Sequence, residues 1–124
     1  MPVAHVVTIT FIDDTPTETV DTFHRNLGAV SAVCLGIESF RHGRDINFRT
    51  GTADYAISAL FTDEDALRAY LTNPEHVRIT NEFAPNIVAK TSVQFQSDAT
   101  SGSAEVFSAI QVGEESLSKT SERR

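Results

Sequence analysis

A single cysteine, Cys34, stands in the chain of 124 residues, so no internal disulfide can staple the fold. Its neighbours Val33 and Leu35 are apolar, which makes it read as a buried, inert thiol rather than a nucleophile. Basic side chains are scarce too: 10 Lys and Arg against 17 Asp and Glu leave a net charge of −7. Such a chain has few cations with which to replace the counterions of a phosphate backbone, and a nucleic-acid partner is not expected. No apolar run approaches the ~20 residues that span a bilayer. The first residues also lack the basic start and long apolar stretch of a secretory signal. No membrane partner is therefore expected, and the chain reads as cytoplasmic. The four histidines show no His-x-His pair and no three- or four-residue step, and no clustered carboxylates complete a ligand set, so a zinc or iron site is not expected. Gly43 and Gly51 frame no phosphate-cradling motif, and no repeat recurs at solenoid periods.

What is present suffices for one domain, since 40% of the residues are hydrophobic. That domain is expected over 1–96. A serine-rich tail follows over 97–124, in which 97–103 has linker composition and 105–112 can form a short docking helix or strand, or stay loosely ordered.

Residues 5–12 alternate, with His5, Val7, Ile9 and Phe11 on one side, the period of a strand. Thr15, Pro16 and Glu18 then provide a capping box with proline in the first helical position. Val20, Phe23, Leu27 and Val30 recur every three or four residues, which predicts a helix ending near Gly36. A second strand is expected over 37–42, a loop over 43–52 and a third strand over 54–61. Thr62-Asp63-Glu64-Asp65 begins a second helix, running to about Leu71. Pro74 bars that helix from continuing, while Asn73-Pro74-Glu75 starts a third, with His76, Ile79, Thr80, Phe83 and Ile87 on or near one stripe. A fourth strand is expected over 89–96.

The order β-α-β-β-α-α-β predicts a ferredoxin-like α+β fold, a four-stranded antiparallel sheet with helices on one face. The uncovered face carries Val6, Ile12, Ala56 and Leu60 among small polar residues, and pairing with a second copy would cover it in a homodimeric α/β barrel.

Tyr70 closes the second helix and His76 opens the third, which makes them candidate catalytic residues. A helix N-terminus disfavours a charged imidazolium, so a neutral His76 can accept a proton, and Tyr70 can hold or protonate a developing oxyanion. His5 and Tyr55 share the side of the sheet that faces the helices and add polar handles. Val7, Ile9, Phe23, Ile57, Ile79 and Phe83 would line an apolar substrate pocket between sheet and helices. The plainer reading of the same residues is that His76 caps or packs and Tyr70 belongs to the core with its hydroxyl at the edge. His24 and His42 read as surface residues. Pro2, once exposed by loss of Met1, would present a secondary amine at a strand start, an arrangement similar to the tautomerases.

His5 at the head of the first strand, Gly43-Arg44-Asp45 after the second, the aromatic-ended third strand from Tyr55 to Phe61, and Tyr70-Leu71-Thr72-Asn73-Pro74-Glu75-His76-Val77 together resemble the stress-responsive A/B barrel (Dabb) family over about residues 3–96. The resemblance implies a dimeric α/β barrel. The family's polyketide cyclases of the olivetolic acid type use a tyrosine and a histidine matching Tyr70 and His76 in a cofactor-free aldol closure, with a histidine matching His5. Tyr55 and Asn73 stand where those enzymes carry two further histidines. The resemblance thus implies a cofactor-independent small-molecule enzyme acting on an apolar or polyketide-like ligand. Two alternatives stand beside cyclisation: a non-catalytic ligand-binding or stress-associated dimer, and a cofactor-independent oxygenase.

Overall fold

The computed structural model describes residues 1–97. The strand β1 (Val3–Phe11) leads to the helix α1 (Thr17–Val33), then to β2 (Ile37–Arg44) and β3 (Tyr55–Phe61). The helices α2 (Glu64–Thr72) and α3 (Pro74–Phe83) follow, and one 3-10 turn (Ala84–Asn86) leads into β4 (Ile87–Gln96). The sheet order is β2-β3-β1-β4, and every neighbouring pair is antiparallel. This is the ferredoxin-like α+β arrangement that the element order predicts, with β1 and β3 in the centre. The segment 105–112 lies outside the described residues.

Period-two patterning places Val3, His5, Val7, Ile9 and Phe11 of β1 and Tyr55, Ile57, Ala59 and Phe61 of β3 on the helix side, and all nine are buried. Val20, Phe23, Leu27 and Val30 of α1 descend on them, with Leu67 and Tyr70 of α2 and Ile79 and Phe83 of α3. Each such large apolar side chain contributes about 1.5–3 kcal/mol when fully buried.

The strand β4 reverses the pattern. Its register sets Lys90, Ser92 and Gln94 opposite Ile9, Val7 and His5 on the helix side, and Val93 and Phe95 opposite Val6 and Ala4 on the open side. Val93 and Phe95 remain 53% and 51% exposed, an apolar surface continuous with Val6 and Leu60. A shift in register between Thr10 and Phe11 marks a bulge at the start of β4. The bulge absorbs one residue, so Ile87 and Lys90, three apart, both line the helix-side cavity.

Several local expectations are corrected. The Thr15 hydroxyl donates to the Ile12 carbonyl at 2.6 Å, closing the turn after β1, so no capping box forms and α1 begins behind Pro16 without a side-chain cap. That helix stops at Val33 rather than near Gly36, because Cys34 is already extended. Cys34 is half-buried, not buried, since the flanking Val33 and Leu35 turn outward at 74% and 91% exposure. Partial burial still pushes the thiol up, which keeps it protonated. Ile87 belongs to β4 and not to the third helix, which Pro85 ends. Asp63 and Asn73 do cap as expected: the Asp63 carboxylate accepts from the Ala66 N–H at 2.8 Å, and Asn73 caps α3.

Gly36 joins α1 to β2 with φ of +82°, and a Cβ there would sit 2.5 Å from Ala66 Cβ on α2. Left-handed strain of about 1–2 kcal/mol and overpacking of about 1–3 kcal/mol predict that Gly36→Ala destabilises by about 2–5 kcal/mol in urea unfolding. Gly28, inside α1, would meet only the His42 ring at ordinary contact, 3.8 Å. Gly28→Ala should therefore stabilise by about 0.5–1 kcal/mol. Equal effects at the two positions would contradict this packing.

Candidate active site

The site is built on a single non-helical residue. In one continuous helix, positions six apart lie about 9 Å along the axis and about 240° around it, so residues 70 and 76 would face different directions. Asn73 breaks that geometry with φ −58° and ψ 130°. Its own N–H closes α2 on the Tyr70 carbonyl at 3.2 Å. Its side-chain oxygen accepts from the Glu75 and His76 N–H groups at 2.8 and 3.3 Å, which starts α3. Pro74 occupies the first helical position, where its missing N–H costs nothing. The chain turns between the helices, and the Tyr70 and His76 rings meet with centroids 4.4 Å apart.

These rings enter a cavity of about 330 Å³ between sheet and helices. His5, Val7 and Ile9 of β1, Phe23 of α1, Ile57 of β3, Tyr70, His76 and Ile79 all line it, so eight of the ten side chains anticipated for the site converge there. The other two do not. The Tyr55 ring packs on Phe23 at 5.2 Å, and its hydroxyl is directed to the imidazoles of His24 and His42, each at 2.7 Å. Phe83 lies behind Phe23, its ring 5.2 Å away, as part of the core.

Two buried polar atoms in the site, the Tyr70 hydroxyl and the Nδ1 atom of His76, have no hydrogen-bond partner among the described residues. Leaving a buried polar group unsatisfied costs about 1–3 kcal/mol. Burial raises the Tyr70 pKa, with weaker contributions from Cys34 and Tyr55, so the phenol is a neutral donor. Burial likewise holds His76 below the ordinary imidazole range; Lys90 and His5 add to the shift, while the Leu71 carbonyl partly opposes it. Desolvation is the leading cause. His5 is 6% exposed, and its Nδ1 pairs with Gln94 Oε1 at 2.8 Å. With the amide oxygen accepting, the proton sits on Nδ1 and Nε2 keeps its lone pair. Burial lowers the His5 pKa as well, the Gln94 bond opposes this, and Lys90 reinforces it.

Sequence reasoning missed the polar wall of the cavity formed by Lys90, Ser92 and Gln94. The signal was there, in the even-numbered polar residues of β4 set against Val93 and Phe95. It also missed that His24 and His42, distant in sequence, stack with centroids 4.2 Å apart. His24 is exposed as expected, but His42 is half-buried because β2 lays it beneath α1. Among the described residues, no three His, Cys, Asp or Glu side chains group as a metal-ligand set. Among the same residues, no helix is long and apolar enough to cross a membrane.

Fold and cavity together define a ferredoxin-like α+β domain with a largely apolar cavity that opens along β4. The chain belongs to the stress responsive A/B barrel domain family, whose model matches residues 3–97. Among solved structures it is similar to a dimeric ferredoxin-like protein of unknown function from Thermobifida fusca, at 25% identity and a TM-score of 0.73, over 78% of this chain and 92% of that one. The fold also matches a hydroxynitrile lyase from Passiflora edulis, at 14% identity and a TM-score of 0.69, over 79% and 94% of the two chains. A third match is SnoaB, a cofactor-independent oxygenase from Streptomyces nogalater, at 23% identity and a TM-score of 0.63, over 78% and 93%. No curated protein matches the sequence.

The lowered histidine pKa values have a thermodynamic consequence. An unfolded chain takes up protons on histidine near pH 6.5, whereas folded His5 and His76 resist until lower pH. The unfolded state then binds more protons, so these groups subtract stability as pH falls below about 6.5 and have no such effect above it. Urea unfolding at pH 7.5 and 5.5 should show a smaller acid-induced loss in a His5→Gln, His76→Gln double variant than in the parent. An identical loss in both proteins would contradict the buried neutral rings.

Proposed function

We propose that the protein is a cofactor-independent small-molecule enzyme that closes a ring by intramolecular aldol chemistry on a polyketide-like substrate. The observation that carries this reading is the pair of buried, unpartnered polar atoms, Tyr70 Oη and His76 Nδ1, on adjoining rings in an apolar cavity. Neutral His76 takes a proton from the carbon alpha to a carbonyl. The resulting enolate carbon attacks a second carbonyl of the same folded chain, and the new alkoxide recovers a proton from the imidazolium. Tyr70, kept protonated by its burial, donates a hydrogen bond to the oxygen on which charge develops. The apolar walls bend the substrate so that the two carbonyl carbons lie close, and they exclude water that would quench the enolate. His5, oriented by Gln94, offers a further acceptor along the same wall.

The chain acts as a homodimer in this reading. Val6, Leu60, Val93 and Phe95 form the open sheet face that a second copy would cover, and the Thermobifida fusca relative is itself described as dimeric. Sedimentation should give the mass of two chains. A strictly monomeric species would leave that apolar face unexplained.

The test of the chemistry is ring closure of linear poly-β-keto acids and their thioesters, followed by mass spectrometry and ultraviolet absorbance. His76→Ala should reduce turnover by about 10²-fold or more, and Tyr70→Phe by about 10²-fold, mostly in kcat, with the circular dichroism of the parent retained. Because burial lowers the His76 pKa, kcat/KM should stay flat above about pH 6.5 and fall only on further acidification. Full activity of His76→Ala would remove the proposed base. Oxygen consumption in step with substrate loss would assign oxygenation instead, and binding without turnover of any member of the series would reduce the site to a ligand pocket.

A further inference from the structure

We propose that the site selects an acid: an otherwise apolar guest whose carboxylate is held by Lys90 at the β4 wall of the cavity. This deepens the enzymatic reading and rests on it for the role of the pocket, but it makes a separate claim about charge. The chain as a whole carries a net charge of −7, yet no Asp or Glu lines the cavity. Lys90 is the one lining residue with a full formal charge, since burial keeps His5 and His76 neutral at physiological pH. It has no ion-pair partner among the described residues, where the five ion pairs all belong to Arg44, Arg68 and Arg78.

The placement of Lys90 follows from backbone geometry. Its register opposite Ile9 puts it on the helix side of the sheet, and the bulge at the start of β4 lets it share that side with Ile87. Alternation then adds Ser92 and Gln94 along the same edge. The cavity therefore combines apolar walls, the Tyr70 and His76 rings, and a β4 edge of hydrogen-bonding groups that includes the Lys90 ammonium. A guest that left this ammonium unpaired would forgo the strongest single polar contact the wall can offer. A carboxylate satisfies it and leaves the carbon chain against the apolar walls.

The probe is octanoate, with octanamide as its neutral counterpart, titrated calorimetrically into the full chain. Octanoate should bind more tightly than octanamide. Lys90→Met should weaken octanoate on the order of fivefold while leaving octanamide unchanged, because a pair at a solvated mouth is worth modest energy. Lys90→Arg should restore most of the preference, and added salt should diminish it. In histidine NMR titrations, octanoate should raise the His76 pKa of the parent, and Lys90→Met should raise it without ligand. Equal weakening of both probes by Lys90→Met would overturn the proposal, as would absence of octanoate binding or a preference for the amide. Lys90-dependent octanoate binding in a protein that closes no ring would uphold this inference and remove the cyclase, whereas ring closure unaffected by Lys90→Met, with no acid preference, would do the reverse.

Discussion

One backbone break governs this protein. Asn73 both ends α2 and caps α3, and Pro74 prevents the two helices from merging, so side chains six positions apart are brought face to face. The cap satisfies N–H groups that would otherwise be stranded at the start of α3, and it fixes the first turn in which His76 sits. The position and the chemistry are thus coupled: the residue that makes the turn stable also points the imidazole at the phenol. Both rings are then desolvated together, which lowers the imidazole pKa and raises that of the phenol. A neutral imidazole beside a neutral phenol is the direct result.

The sheet divides its work between two faces. The central strands β1 and β3 turn apolar residues to the helices and form the core. The edge strand β4 instead turns Lys90, Ser92 and Gln94 to that side and Val93 and Phe95 away from it. This inversion makes sense if the helix side of β4 is a wall of the chamber rather than part of the core, and if the opposite face is destined for another copy. The same strand then supplies polarity to the site and apolar surface to an assembly.

Much of the fold was legible because strong local signals agreed with one another. The alternation of β1 and β3, the stripe of α1 and the Asp63 and Asn73 caps all point to the same topology. Boundaries were less so: Thr15 had two possible uses for its hydroxyl, and only the turn after β1 decides that it bonds to the Ile12 carbonyl. Tyr70 and His76 could be singled out because the proline between them forces a break. Alternation fixes the side of the sheet on which the Tyr55 ring lies, not where its hydroxyl ends, and here two imidazoles draw the hydroxyl away from the chamber. Those imidazoles come from α1 and β2, and no spacing rule links residues 24 and 42.

The function of the chamber depends on Tyr70 and His76 addressing a single guest. The most direct test is a crystal structure of the protein soaked with an alkyl-substituted dihydroxybenzoate, a stable mimic of a cyclised aromatic acid. The expected result is one molecule in the chamber with an oxygen in hydrogen-bond contact with the Tyr70 hydroxyl and the His76 ring against the same molecule. A chamber closed by its own side chains, or a guest bound elsewhere while both rings stay unengaged, would contradict it.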